Sequence, residues 1–210
     1  MRDKRLEHNE YQRALFTKEV DTFCEQIPGV IQQRLGEIVE KVQLERSDRV
    51  LDVGTGTGVL IPLIKSFGVE QVVGCDLSSA MLSVAADLHQ VTSLWCGDVL
   101  DLPDNLGPFD VVFLNAVFGN LWDQMGTLCR VNDVLKEDGR VCISHPLGSR
   151  FVVELHRTDS RRTPHILPDQ EELLRMVYEL PLQLTHYQDE EELYIAVLLK
   201  TEERSMLGRH

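Results

Sequence analysis

No apolar run in the 210-residue chain approaches the roughly 20 residues that cross a bilayer, so neither a spanning helix nor a membrane partner is expected. The first ten residues, MRDKRLEHNE, have no apolar core and do not read as a secretory signal. Cysteine is sparse and scattered. The five are Cys24, Cys75, Cys96, Cys129 and Cys142, an odd number with no C-x-x-C pair, which argues against a zinc site and against a disulfide framework. Cys75, Cys96 and Cys142 sit in or beside β-like apolar runs, where a thiol serves as a small core hydrophobe. A reducing compartment is expected, the cytoplasm or another, and an organellar chain that has lost a transit peptide stays open. Excess positive charge is also lacking. Lys and Arg total 21 against 34 Asp and Glu, a formal net charge of −13. Such a surface repels phosphate backbones, so no nucleic-acid partner is expected. The pair Arg161-Arg162 does not change that. There is no internal repeat and no low-complexity tract.

What is present reads as one globular domain, with 43% hydrophobic residues and enough length to bury roughly 70% of the unfolded surface. Residues 6–45 read as helical in two amphipathic segments. The first carries Leu15, Val20 and Phe23, the second Val30, Ile31, Leu35, Ile38, Val39 and Val42. RVLDVG is a strand, and VLIPLIKSFG a helix with Pro62 in its first turn and Gly68 at its end. VEQVVGCD is a strand, and SSAMLSVAADLHQ a helix capped by Ser78 or Ser79. TSLWCGD and FDVVFLNA are strands, MGTLCRVNDVLKEDG is a helix closed by Gly139, and RVCISHP is another strand. PDQEELLRMVYEL follows as a helix with Asp169 and Glu172 spaced as a capping box. LQLTHYQ and LYIAVLLK flank an acidic turn as an edge hairpin. Alternating strands and helices predict an α/β fold, a mostly parallel sheet with helices on both faces. Residues 147–168 read as an irregular excursion.

The stretch LDVGTGTGVL, Leu51 to Leu60, places glycines where a strand meets a helix. Glycine there lets the backbone approach a ligand, and the helix start favours a negative group. A triphosphate loop needs G-x-x-x-x-G-K-[ST], and no lysine follows before Lys65. A dinucleotide loop needs G-x-G-x-x-G/A. The third site is Val59 counted from Gly54, or Ile61 counted from Gly56. What remains is an acid followed by alternating glycines: Asp52, Gly54, Gly56, Gly58.

That pattern resembles the first motif of class I S-adenosylmethionine-dependent methyltransferases, and further motifs follow in order. VVGCDLSSAML resembles the second-strand motif, WCGDVLDLP the third, FDVVFLNAVFGNLWD the fourth strand and its turn, and VLKEDGRVCISHP the last conserved helix and fifth strand. The resemblance runs from about Asp48 to Pro146 and is nearest the type-11 small-molecule enzymes. It implies a Rossmann-like, seven-stranded, mostly parallel sheet with a C-terminal antiparallel hairpin. It also implies one domain, with residues 1–45 covering the donor site, 48–146 binding the donor, 147–168 forming an acceptor lid, and 169–200 completing the sheet edge.

The implied cofactor is S-adenosylmethionine, with S-adenosylhomocysteine as product. Asp76 would hold the ribose hydroxyls, although it also stands where it could cap the next helix. Asp98 and the Val99 amide would read the adenine, unless Asp98 is an ordinary turn residue. Leu77 and Met81 would pack on the adenine face. Asp52, Gly54, Thr55, Gly56, Gly58 and Asn115 would surround the methionyl end. Methyl transfer from a sulfonium is chiefly a matter of positioning, and a general base is needed only where the acceptor must lose a proton. The candidate catalytic residues are His145, at the end of the fifth strand, and Asn120, in the turn where type-11 relatives often carry histidine. NAVF, Asn115 to Phe118, lacks both prolines of the N-P-P-[FY] motif of amino-methylating enzymes. The acceptor site is expected from Tyr11, Phe16 and Phe23 and from the basic cluster Arg150, His156, Arg157, Arg161, Arg162 and His165, which would suit an anionic small molecule. A non-catalytic donor-binding module, or aminopropyl transfer on the same fold, stays open.

Overall fold

The structure, a computed structural model, describes residues 3–89 and 93–202. Its chain order is α1 (Lys4–Lys18), α2 (Val20–Phe23), α3 (Gly29–Lys41), β1 (Arg49–Val53), α4 (Ile61–Ser66), β2 (Gln71–Asp76), α5 (Ser79–Leu88) and β3 (Ser93–Cys96). Then come β4 (Phe109–Asn115), α6 (Gln124–Val134), β5 (Leu135–His145), α7 (Gly148–Thr158), α8 (Gln170–Met176), β6 (Leu182–Glu190) and β7 (Leu193–Lys200). Gln90 and Thr92, at the edges of a predicted helix and strand, lie outside the described residues.

One seven-stranded sheet runs β3-β2-β1-β4-β5-β7-β6. The five strands from β3 to β5 are parallel, whereas β7 pairs antiparallel with both β5 and β6. The expected Rossmann-like sheet with a terminal hairpin is therefore present. Strand alternation sends side chains to two cores. Leu51, Val112, Leu114, Val141 and Ile143 join Leu128, Val152 and Leu173 on one face. Val50, Val111, Phe113 and Cys142 join Ile38, Val39, Ile61 and Ile64 on the other. Burial on both faces is why these strands read as continuous apolar runs. Order reverses between β1 and β4, and the crevice beyond the carboxyl ends of strands at such a switch point is where open α/β sheets hold ligands.

The caps are local and readable. Ser78 Oγ accepts from the Met81 amide at 3.3 Å, and Asp169 Oδ1 accepts from the Glu172 amide at 2.8 Å. Gly68 takes φ +85° just past α4.

Several expectations need correction. The helix expected to end at Gly139 ends at Val134, because buried Leu135 already pairs with Phe109. The ladder shifts register there, with Asp138 at φ +60°, and resumes at Arg140 opposite Val111. Residues 148–158 are helical, not irregular: α7 buries Val152 against the core, and the charges on its outer face hide that contact in the sequence. In the first helix the buried side chains are Asn9 and Gln12, whereas Phe23 lies in α2 and is 40% exposed. Cys96 is exposed at the end of β3, as are Cys24 and Cys129, so only Cys75 and Cys142 are core thiols. Among the described residues no helix is long and apolar enough to cross a membrane.

Candidate functional site

A cavity of about 180 Å³ opens at the switch point. Its floor is the end of β1 and the following glycine loop, together with the end of β4. The loop conformation explains its composition. Gly54 has φ +67°, and a Cβ there would come within 2.5 Å of Val117. The amides of Gly54 and Thr55 donate to the Cys75 carbonyl at 2.8 and 3.1 Å, and that of Gly56 donates to Asp76 Oδ2 at 2.9 Å. The loop is thus stitched to the end of β2. Its first three amides are occupied, so its contribution to the cavity is close backbone approach and not free N–H groups.

Asp76 stands at the carboxyl end of β2, and its other oxygen accepts from the Ser78 amide at 2.8 Å. Burial pushes its carboxyl up, and these amides oppose that shift. Asp98 follows β3 and opens a 3₁₀ turn (Val99–Asp101), accepting from the Leu100 amide at 3.0 Å. Its second oxygen accepts from Arg5 Nε and Asn9 Nδ2, both at 2.8 Å, so α1 is docked onto it. Leu77 and Met81 line the same wall. Asn115 closes the floor, its Oδ1 accepting from Ser144 Oγ at 3.0 Å.

Of the residues singled out in the sequence, Gly54, Thr55, Gly56, Asp76, Leu77, Met81, Asp98, Val99, Asn115 and Asn120 are brought together around this cavity. Asp52, Gly58 and His145 are not among its lining residues. Asp52 shares the α3–α4 face of β1 with Val50, and its carboxylate accepts from Thr55 Oγ1 at 2.7 Å. Burial pushes its pKa up to about 7. Gly58 serves packing: a Cβ there would meet the His89 ring at 2.6 Å and Ile61 at 2.8 Å. His145 Nδ1 accepts from the Leu147 amide at 3.2 Å, so the lone pair of its neutral ring is committed to the turn. Burial pushes its pKa down to about 4.

The acceptor expectations divide. Phe16 and Phe23 line the cavity, but Tyr11 and the whole basic cluster do not. Those charges are spent elsewhere. Arg162 makes a two-pronged pair with Glu19, 2.9 Å on each arm, while Arg150 pairs with Glu191 and Arg157 with Glu154. Arg161 lies over the Tyr11 ring at 4.3 Å. The ring nitrogens of His156 and His165 meet the carbonyls of Thr163 and Trp122. The cavity itself is lined by Asp76, Asp98 and Asp123 and, among the described residues, by no lysine or arginine.

Sequence reasoning missed His8, Asn9 and Gln12 on α1. Their signal is the four-residue spacing of His8, Gln12 and Phe16, which sets one helix face toward the cavity. Because two members of that stripe are polar, the face does not register as apolar periodicity.

Residues 51–143 match the profile of a family described as a methyltransferase domain. Trans-aconitate 2-methyltransferase of Rhizobium rhizogenes is 35% identical over 112 residues, covering 52% of this chain and 43% of that protein. Demethylmenaquinone methyltransferase of Symbiobacterium thermophilum is 30% identical over 161 residues, covering 70% and 64%. The chain spans about half the length of the curated relatives it matches. Among solved structures, magnesium protoporphyrin IX methyltransferase of Synechocystis with bound S-adenosylhomocysteine superposes with a TM-score of 0.72. It shares 15% identity and covers 92% of this chain and 100% of that one, a likeness of fold. Sheet order, motif order and family match agree, and the chain carries a methyltransferase domain of the class I, S-adenosylmethionine-dependent type.

Proposed function

We propose that the chain moves a methyl group from S-adenosylmethionine to a small-molecule acceptor by in-line displacement, releasing S-adenosylhomocysteine. The observation that carries this reading is the convergence of Asp76, Asp98 and the glycine loop on one cavity at the switch point. The residues fit the cofactor's parts. Each Asp76 oxygen accepts one amide and keeps further acceptor capacity, which suits the two hydroxyls of a ribose. Leu77 and Met81 offer apolar surface for an adenine, and the Val99 amide opens a turn, where backbone donors lack partners within the turn. Asn115 has its carbonyl oxygen satisfied by Ser144, which leaves its amide hydrogens for the methionyl end. Asp52 acts at one remove by orienting the Thr55 hydroxyl.

When bound, S-adenosylmethionine supplies a methyl group already activated by the positive sulfonium. The chain's task is to hold an acceptor in line with it and keep water out, positioning worth roughly 7–11 kcal/mol of barrier at best. Helix α1, pinned to Asp98, forms the outer wall that excludes solvent.

Calorimetry with S-adenosylhomocysteine, followed by incubation of labelled S-adenosylmethionine with a panel of neutral metabolites, tests the reading. Binding with release of S-adenosylhomocysteine is expected. An absence of binding sinks the proposal, and binding with no turnover on any acceptor would instead mark a non-catalytic donor-binding module.

A further inference from the structure

The wall contributed by α1 contains two polar side chains to which the donor reading assigns no part, and both are oriented by bonds to distant backbone. His8 Nε2 lies 2.9 Å from the Asn120 carbonyl. A carbonyl only accepts, so Nε2 carries the proton and, in the neutral ring, Nδ1 keeps its lone pair. Burial pushes the His8 pKa down, the largest of several influences. Asp98 and His165 are the titratable groups acting on it, the first raising and the second lowering its pKa. One turn on, Gln12 is 2% exposed and lines the cavity. Its amide nitrogen, Nε2, donates to the Arg162 carbonyl at 2.7 Å and the Arg161 carbonyl at 3.2 Å. Those two acceptors fix which way the amide points, since the flipped form would set oxygen against oxygen. Its Oε1 is then left buried without a partner among the described residues. A buried acceptor without a donor destabilises the empty site, and a ligand that donates to it would relieve that.

The geometry points to His8 and Gln12 as the acceptor-recognition pair, taking a neutral, flat hydroxyl compound that carries a second hydrogen-bond donor, with His8 receiving the proton of the hydroxyl that is methylated. This rests on the donor reading above. Residues four apart on a helix face bring their Cβ atoms to within about 5–6 Å, the reach of two hydroxyls on one ring. Phe16, Phe23 and Trp122 supply apolar walls, and the lack of lysine and arginine in the lining, among the described residues, selects against an anion. In the reaction the hydroxyl oxygen bonds to the methyl carbon as the carbon–sulfur bond breaks. The bonding pair returns to sulfur, leaving a neutral thioether. The hydroxyl proton passes to His8 Nδ1, and the resulting imidazolium later returns it to solvent.

The test uses the full chain, ¹⁵N-labelled at histidine and saturated with S-adenosylhomocysteine, titrated with resorcinol and separately with its dimethyl ether. The ether has the same ring and no donor. Resorcinol should shift the His8 Nδ1 resonance, and the ether should bind at least about tenfold more weakly, the worth of two ordinary hydrogen bonds. His8→Phe and Gln12→Met should each erode that preference while S-adenosylhomocysteine affinity holds. Equal binding of the two probes, binding of neither, or no response at His8 overturns the assignment. So does a loss of S-adenosylhomocysteine affinity in His8→Phe, which would make the residue a structural strut. Should either variant fail to fold, the comparison of probes on the unaltered chain still decides. If the unaltered chain does not bind S-adenosylhomocysteine at all, the donor reading itself has failed, and this assignment falls with it.

Discussion

Asp76 and Asp98, on the sheet side of the cavity, take backbone amides two residues ahead, and Asp76 adds one from the adjoining loop. On the α1 side, His8, Asn9 and Gln12 reach partners 112, 89 and 150 positions away. The first wall is built by strand ends and turns, each specified by its own short sequence. The second exists only once the sheet, the Phe118–Asn120 turn and the segment after α7 have come together. On the proposed reading, donor binding and acceptor recognition should therefore be separable by mutation, because the first wall is held by local bonds and the second is docked through distant ones.

The largest effect is expected on the sheet side. Asp76→Ala removes the proposed ribose acceptor and also frees the Gly56 amide. Hydrogen bonds to a charged group are worth about 1.5–3 kcal/mol each, so S-adenosylhomocysteine affinity should fall roughly 100-fold or more by calorimetry. Far-ultraviolet circular dichroism should be unchanged, since the apolar ladder of β2 does not involve this side chain. Affinity within threefold of the parent would show that Asp76 only holds the loop.

The same contrast explains what was legible beforehand. The parallel sheet announced itself in the apolar runs of β1, β2 and β4, because burial on two faces leaves no polar alternation to misread. Ser78 and Asp169 were readable as caps because capping is a matter of three residues. Asp76 and Asp98 were found because motif order places them at successive strand ends. Gln12 had only its four-residue spacing from His8 and Phe16 to mark it: its partners are two carbonyls beyond α7, and a buried amide on a charged helix resembles an exposed one in sequence. His145 stands outside the cavity lining for a related reason. Its position at a strand end matched the expected site, but the turn at Pro146 bends the ring onto the Leu147 amide and toward Phe151, with ring centroids 5.5 Å apart.

His145 sharpens the comparison by giving the sheet side a pH signature. Its pKa lies at about 4 in the folded chain because burial disfavours the imidazolium, whereas an unfolded histidine titrates near 6.5. As pH falls below the unfolded value, the unfolded chain takes up a proton that the folded chain refuses. The stability that His145 contributes is therefore full above about pH 6.5 and is lost progressively down to about pH 4, with roughly 1.4 kcal/mol at stake per pH unit. Asp52, raised to about 7, acts with the opposite sign over the same range and does so with or without His145. Urea unfolding at pH 7 and pH 4.5 should therefore show the parent changing by about 2–3 kcal/mol less favourably than His145→Asn on going to the lower pH. An equal change in both proteins would assign the acid sensitivity to other groups.

The smallest effect is expected where α1 meets the sheet side. Arg5 is partly exposed and its ion pair with Asp98 is screened, so Arg5→Ala should cost about 1 kcal/mol or less. Asn9 is buried and donates to the same carboxylate oxygen, so Asn9→Ala should cost slightly more. If α1 is docked independently, that free energy belongs to local opening of the helix and not to global unfolding. Amide exchange should then quicken about fivefold along α1 for 1 kcal/mol while the β2 and β4 amides keep their protection. A uniform acceleration over sheet and helix would mean that the two walls open as one unit. In that case acceptor recognition and donor binding could not be tuned apart, and the contrast between the two sides of the cavity would lie in the bonds alone and not in their stability.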